Sequence, residues 1–529
     1  MKYLYFVLVI FSTTALFGQQ DYENYKGQVE RMKSLQKSNS RQVELKELAK
    51  TNGGQSVYVL ILSNGNPKSN PGIVVTGGVD GSQISSTEMA LKFAEQVIST
   101  DSLRQQLSEI TYYVFPNMSP DATEQYFNKL KYNRSVNASV IDNDRDGRTD
   151  EDGYEDLNAD GLITMMRIKD SKGAYRISDE DNRLMVKAKI SEGETGEYLL
   201  VTEGVDNDND GQYNEDGPGG VNFNSNFTYQ YPWFTSEAGE YQVSEPESRK
   251  MLDLLYEHRN IFLFVTFGPS NNLMQPERFN ASQARKRVVS SYLQPDVELN
   301  ERISKLYKEL TGIEGGEYHA SPGDFYQWAY YHFGRQSYST PAYSYPVLDK
   351  KKSSEYNQLK WMDSVGINGF SNWEAVEHAS FKGKKVEVGG FKPFIQNNIP
   401  ISSLNETSAK HTQFIAKLAS MRPKVQLESA AVESLGKGVF RVTVYMKNTG
   451  QMPAMTAMGE QVKWVQLPKI ELQLGKDHQV ISGNKIVLLP NLKAGEVVEF
   501  SWLINGKGSL KIEAGAPQMG KDVLTVDLK

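Results

Sequence analysis

Two acidic segments of the chain repeat almost letter for letter. Asp142-Asn-Asp-Arg-Asp-Gly-Arg-Thr-Asp-Glu-Asp-Gly153 matches Asp206-Asn-Asp-Asn-Asp-Gly-Gln-Tyr-Asn-Glu-Asp-Gly217, and a shorter copy runs Asp156-Leu-Asn-Ala-Asp-Gly161. Carboxylates or amides at positions one, three and five, with Gly at six, set hard oxygens around a tight turn. That is calcium chemistry. The candidate ligands are Asp142, Asp144, Asp146, Asp150, Asp156, Asn158, Asp160, Asp206, Asp208, Asp210 and Asn214. Residues 142–160 carry nine acids against two Arg, and residues 206–216 carry five acids and no base. Charges this dense repel one another unless a cation sits among them. Position twelve is Gly153 or Gly217, where a helix–loop–helix sensor needs a bidentate Glu. The expected role of calcium is therefore structural: it holds a long insertion that otherwise costs ordering entropy. The alternative is a solvated acidic insertion without an ion.

Other chemistries are thinly supplied. The 529 residues contain no Cys, which excludes disulfides, a thiol nucleophile and Cys-ligated metals. The six His, at 258, 319, 332, 378, 411 and 478, form no His-Glu-x-x-His or His-x-x-Glu pattern. No Gly-x-Ser-x-Gly elbow and no phosphate loop is present. A net charge of −7 with no basic block argues against nucleic acid as a partner.

The elements that would position a site are strands and helices in alternation. Apolar runs at 57–62, 72–75, 112–115 and 261–265 predict strands buried on both faces. Helical patterns at 87–100 and 245–258 lie between or before them, while residues 20–50 are charged and helix-like. This alternation predicts an α/β domain with a doubly wound, mostly parallel sheet, which places ligands beyond the carboxyl ends of its strands. After Pro423 the pattern becomes strands and turns, predicting a C-terminal all-β sandwich domain over 424–529. At the other end, Lys2, the apolar run Tyr3–Phe11 and the small residues before Gln19 read as a signal peptide over 1–18. Residues 19–423 then form the α/β domain, with the acidic insertion around 140–220. The mature chain is expected to be exported, periplasmic or secreted, with no membrane span after cleavage.

The landmarks along 22–390 resemble the zinc metallocarboxypeptidases, the carboxypeptidase A-like superfamily. Val75-Thr-Gly-Gly-Val-Asp-Gly-Ser-Gln-Ile resembles the family's Gly-x-His-Gly-x-Glu stretch, and Phe115-Pro-Asn-Met-Ser-Pro-Asp121 its Pro-x-x-Asn-Pro-Asp stretch. Gly219-Gly-Val-Asn-Phe-Asn-Ser-Asn-Phe227, Ser244-Glu-Pro-Glu247 and Glu317-Tyr-His-Ala-Ser-Pro-Gly-Asp-Phe-Tyr-Gln-Trp328 follow in the family's order. The acidic loops look like an insertion of exported bacterial members.

The same resemblance implies that the family's chemical groups are substituted. The family holds zinc with two His and one Glu and leaves a position for water. Those positions fall on Asp80, Phe267 and Gln83. The general-base Glu falls on Pro341, which can neither take nor give a proton. Asn224 keeps one half of the substrate clamp, but Ser225 stands where the family has Arg. Tyr318 matches the substrate-covering Tyr, and Arg134 or Arg167 matches a second electrophilic Arg. The cleft is expected to be lined by Asp80, Gln83, Asn224, Ser225, Phe267 and Tyr318. The leading expectation is a calcium-braced pseudoenzyme that binds a peptide or peptidoglycan fragment, without zinc. An active zinc carboxypeptidase with displaced ligands is the second reading, and a structural surface protein the third.

Overall fold

A computed structural model of the chain describes residues 21–141, 147, 149, 153–207, 213, 219–316 and 319–529. The signal peptide read at 1–18 lies outside the described residues, as do Asp142, Asp144, Asp146, Asp150, Asp208, Asp210, Asn214 and Tyr318. Among the described residues no helix is long and apolar enough to cross a membrane.

In chain order the strands before the sandwich are β1 (Val43–Lys50), β2 (Ser56–Leu62), β3 (Gly72–Thr76), β4 (Thr111–Phe115), β5 (Met165–Lys169), β6 (Tyr175–Ile177), β7 (Met185–Lys187), β8 (Tyr198–Thr202), β9 (Ile261–Phe267), β10 (Gln336–Thr340), β11 (Phe370–Val376) and β12 (Val386–Phe391). The central sheet runs β1-β2-β4-β3-β9-β10. Its β4–β3, β3–β9 and β9–β10 pairs are parallel, and the β1–β2 hairpin and the β2–β4 pair are antiparallel. Every residue of β3, β4, β9 and β10 is buried; β3, β4 and β9 are accordingly apolar without alternation, whereas β10 buries the polar run Gln336-Ser-Tyr-Ser-Thr340. One face packs Ile73, Val75, Leu263, Val265 and Phe267 in a core shared with the helices Ile84–Ser99, Gln294–Thr311 and Ile401–Ser420. The other packs Val74, Tyr113 and Phe264 against Pro246–Glu257 and Phe325–Tyr331. Helices on both faces make the α/β core doubly wound, with a mixed sheet.

Three elements differ from the sequence reading. The charged stretch before residue 50 is only half helix: Tyr25–Ser38 is helical, and β1 is an edge strand with one buried residue. An edge strand has little apolar surface to bury, so its alternation is faint. A second, antiparallel sheet, β11-β12-β5-β8-β6-β7, gathers strands from either side of the core. The long helices Gln294–Thr311 and Ile401–Ser420 also escape the apolar-run reading.

The C-terminal domain comprises β13 (Val425–Gly436), β14 (Val439–Asn448), β15 (Lys469–Gln473), β16 (Gln479–Ser482), β17 (Ile486–Leu488), β18 (Val497–Asn505), β19 (Gly508–Ala516) and β20 (Gly520–Leu528). Its two antiparallel sheets, β13-β14-β18-β16 and β17-β15-β19-β20, close on Val442, Val444, Trp502, Ile470 and Ile512. A short helix, Ala457–Gln461, reaches back to the α/β core. Its first amides, on Ala457 and Met458, donate to the Asp296 carboxylate at 3.0 and 3.2 Å, and the Tyr330 hydroxyl donates to the same group at 2.8 Å.

Candidate functional site

The strand order reverses direction at β3, whose successor β4 lies on one side while β9 lies on the other. Chain segments leaving the carboxyl ends of such neighbours diverge and leave a crevice. A cleft of about 570 Å³ lies there, with Asp80 and Gln83 after β3, Pro269 and Asn271 after β9, and Pro341 after β10 among its walls.

The turn after β3 depends on two glycines. A side chain on Gly77 would stand 2.3 Å from the Ser86 carbonyl, and Gly78 has φ +60° against the Asn117 main chain. This close passage brings Asp80 to the mouth of the sheet. Its carboxylate accepts from the Ser82 amide at 2.8 Å and the Ser82 hydroxyl at 2.7 Å, and among the described residues no cation lies within ion-pair distance. Burial pushes the Asp80 carboxyl up. Gln83 immediately precedes the helix Ile84–Ser99 and gives it no side-chain cap. That service comes from afar: Asn398 accepts from the Ser85 amide at 2.8 Å and donates to the Ser82 carbonyl at 2.8 Å. Ala342, after Pro341, holds φ +63° although fully buried. An L-residue in that region stores roughly 1–3 kcal/mol of strain.

Phe267, expected in the cleft, is turned away from it. It is the last residue of β9 and shares the face of Val265, so its ring packs into the helical core 5.8 Å from the His411 ring. The expected Asn224–Ser225 wall also stands behind the cleft. Asn224 is buried and accepts from the Phe325 amide at 3.2 Å, and Gly323 lies so close to the Ser225 carbonyl that a Cβ would sit 2.3 Å from it. Between this pair and the cleft is a carboxylate the sequence reading missed. Asp324 is 1% exposed, hydrogen-bonded by the Ser270 hydroxyl and, at 2.8 Å, by the Tyr326 amide. Burial pushes its carboxyl up to about 7. Its signal was a lone Asp after Gly323, indistinguishable in sequence from a helix cap, which it also is.

Of the two Arg considered for an electrophilic role, Arg134 is tied to the Val136 and Asn137 carbonyls at 3.1 and 2.7 Å. Arg167 lies in β5, paired with Glu387 at 3.0 Å and covered by Trp373. The histidines are scattered. His258, His378, His411 and His478 each hold a main-chain carbonyl, His332 meets Thr228 at 2.6 Å, and His319 alone lines the cleft. Among the described residues no group of three His, Cys, Asp or Glu is arranged to hold a metal. The donor set at the mouth of the sheet is one carboxylate and one neutral amide, with a buried phenyl ring in the third position. It does not fit a catalytic zinc.

In the acidic insertion, the described carboxylates close the loop on its own amides. Asp156 accepts from Asp160 and Gly161 at 3.2 and 2.7 Å, Asn158 from Asp160 at 3.2 Å, and Asp160 from Leu162 at 2.8 Å. Glu155 ties the two acidic segments together, through the Val205 amide at 3.1 Å and the Asn207 side chain at 2.6 Å. Asp206 stands between these two residues in sequence.

A parallel-stranded core with its crevice at β3, β9 and β10 defines a carboxypeptidase-like protein. The chain belongs to the zinc carboxypeptidase family, whose model matches residues 29–356. Zinc is that family's usual metal. Residues 424–527 match a second family, described as a domain of unknown function (DUF8731). Solved structures similar to the chain include thrombin activatable fibrinolysis inhibitor, at 14% identity over 76% of this chain and 74% of that one, TM-score 0.43. The carboxypeptidase A of Helicoverpa armigera gives 14% identity, 75% and 73% coverage and a TM-score of 0.42. A metallo-carboxypeptidase from Burkholderia cenocepacia gives 10% identity, 60% and 59% coverage and 0.32. No curated protein matches.

Proposed function

We propose that the chain is an exported carboxypeptidase-like binding protein that holds a peptide or peptidoglycan fragment in the cleft without cleaving it. The observation that carries this reading is the set of groups at the positions where the family's chemistry would stand. Proline stands where the family's base would be, a core-facing phenyl stands where a zinc ligand would be, and Ser225 replaces the clamp Arg. Each loss alone is severe for hydrolysis, and groups that act as a unit are not rescued one by one. The cleft itself is retained, with amides and hydroxyls suited to hydrogen-bonding a polar ligand: Gln83, Asn271, Asn397, Asn398 and Tyr343. It adjoins a more apolar groove of about 410 Å³ on the second sheet, lined by Met165, Met185, Leu200, Phe370, Trp373 and Phe391. Both share Glu355 and Gln396. The ligand is thus one with a polar end and an apolar flank.

Calcium braces the acidic insertion in this reading, supported by the repeated ligand spacing and by Glu155 bridging the two segments. Export is inferred from the N-terminal segment.

The test is elemental analysis of the purified protein together with calorimetry against muropeptides and short peptides. Expected are calcium without stoichiometric zinc, measurable binding, weakened binding in Asn271→Ala and Tyr318→Ala, and no release of C-terminal residues. One equivalent of zinc with turnover would establish the active carboxypeptidase that family membership suggests. Binding of no fragment would leave the purely structural reading.

A further inference from the structure

At the amino end of β10, Arg335 is 2% exposed and, among the described residues, has no carboxylate within ion-pair distance. Its Nη2 reaches the Arg259 carbonyl at 3.4 Å, while Nε and Nη1 are buried without any acceptor. The Trp464 ring, from the C-terminal domain, covers it with the ring centre 5.5 Å from Cζ, and the Trp464 Nε1 is likewise buried without an acceptor. Phe333 and Tyr256 pack on the same indole at 4.4 and 5.2 Å between centroids. Three donor atoms and one full positive charge are thus enclosed among aromatic rings.

A guanidinium does not release its proton in a protein. Even here, burial lowers its pKa only to about 9. Removing such a charge from water is costly even after relaxation. A cation–π contact and one long hydrogen bond return only part of that cost. The charge balance at the junction is incomplete without an anion.

We propose that the Arg335–Trp464 junction binds a small inorganic anion of the halide class, which links anion concentration to the docking of the C-terminal domain. Size favours a monatomic ion. The two domains meet so closely beside it that a Cβ on Gly334 would lie 3.0 Å from Gly459 and 3.2 Å from Val462. The occupant accepts hydrogen bonds from the free guanidinium N–H groups, and the indole excludes water.

The experiment compares melting midpoints of the full chain in sodium chloride, sodium bromide and sodium gluconate at equal ionic strength, and locates bromide by anomalous scattering in crystals grown with it. Expected is a saturating, halide-specific rise of roughly 2–4 °C, with a bromide peak at the guanidinium. Arg335→Met is expected to abolish the halide response, and Trp464→Phe, which keeps the ring but not its N–H, to weaken it several-fold. Equal midpoints in halide and gluconate overturn the proposal. So does an anomalous map without bromide at Arg335, where water alone then satisfies the donors, or a halide response retained by Arg335→Met. The comparison of salts on the unaltered protein stands even if neither variant folds.

Discussion

β10 is five residues long, and its two ends are opposite in chemistry. At the carboxyl end two carboxylates stand with no cation beside them among the described residues: the half-buried Asp80 accepts from Ser82, and the buried Asp324 from Ser270 and the Tyr326 amide. At the amino end a buried guanidinium sits among aromatic rings with no carboxylate. The same strand therefore ends in a hydrogen-bonding mouth on one side and a charged but dry seam on the other. Buried polar groups persist at a cost, and the two ends meet it differently. The mouth surrounds its acids with hydroxyls and amides, and burial raises the pKa of both. The seam cannot neutralise Arg and must be complemented from outside.

Substitutions separate the two ends, and the largest effect should come from a residue that belongs to neither. If Phe267 is a core residue rather than a lining of the mouth, Phe267→Ala should cost about 3–5 kcal/mol by chemical denaturation and leave ligand affinity per folded molecule unchanged. A small stability loss with altered affinity would return Phe267 to the cleft. Next is the pH response of Asp324. Its folded-state pKa is raised to about 7, against about 3.9 when unfolded. The folded state then binds the extra proton between those values, so stability falls as pH rises from about 4 to about 7 and levels off above. The variant Asp324→Asn should flatten this decline, by a few kcal/mol at most, in melting curves taken across that range. An unchanged slope would mean that the hydroxyl and amides around Asp324 stabilise its anion fully.

Chelation comes third. Removing calcium with a chelator should lower stability by about 2–3 kcal/mol if the ion was present at a hundred times its dissociation constant. The calorimetric midpoint reads this, and an unmoved midpoint would reduce the insertion to solvated acid. The fourth effect concerns the seam. Asp296 accepts from the Ala457 and Met458 amides, so Asp296→Ala should cost about 1–3 kcal/mol and speed proteolysis of the C-terminal domain relative to the core. The smallest is Asp80→Asn. The amide keeps an oxygen to accept from Ser82, so stability should change little while affinity for a fragment at the mouth drops, as titration calorimetry would show.

Much of this arrangement was legible in the residues. The apolar runs of β3, β4 and β9 declared strands buried on both faces, and Gly77-Gly78 with Ser244-Glu-Pro-Glu247 located the crevice and the helix beside it. The direction of Phe267 was not legible. Its position at the end of β9 is set by strand register, and whether an end residue faces the crevice or the helices depends on parity with Val265, which a short apolar run does not display. Asp324 was hidden because a cap and a buried acid look alike in sequence. The second sheet was hidden because its strands are three to seven residues long and come from both sides of the core. Pairing across such distances leaves no local period. Arg335 illustrates the same limit: one arginine before a strand says nothing of the domain that will close over it.

The amide of Asn398 has a consequence for how the molecule comes into being. The first turn of the helix behind Asp80 is completed only by a side chain 313 positions further along. A nascent chain can assemble β3 and β4 long before that residue is delivered, and contacts this remote are slow to form. The mouth is thus a late-maturing part of the protein, open-ended until the last stretch before the final helix of the core has arrived. Shortening the chain ahead of that point should yield a sheet with an unfinished rim.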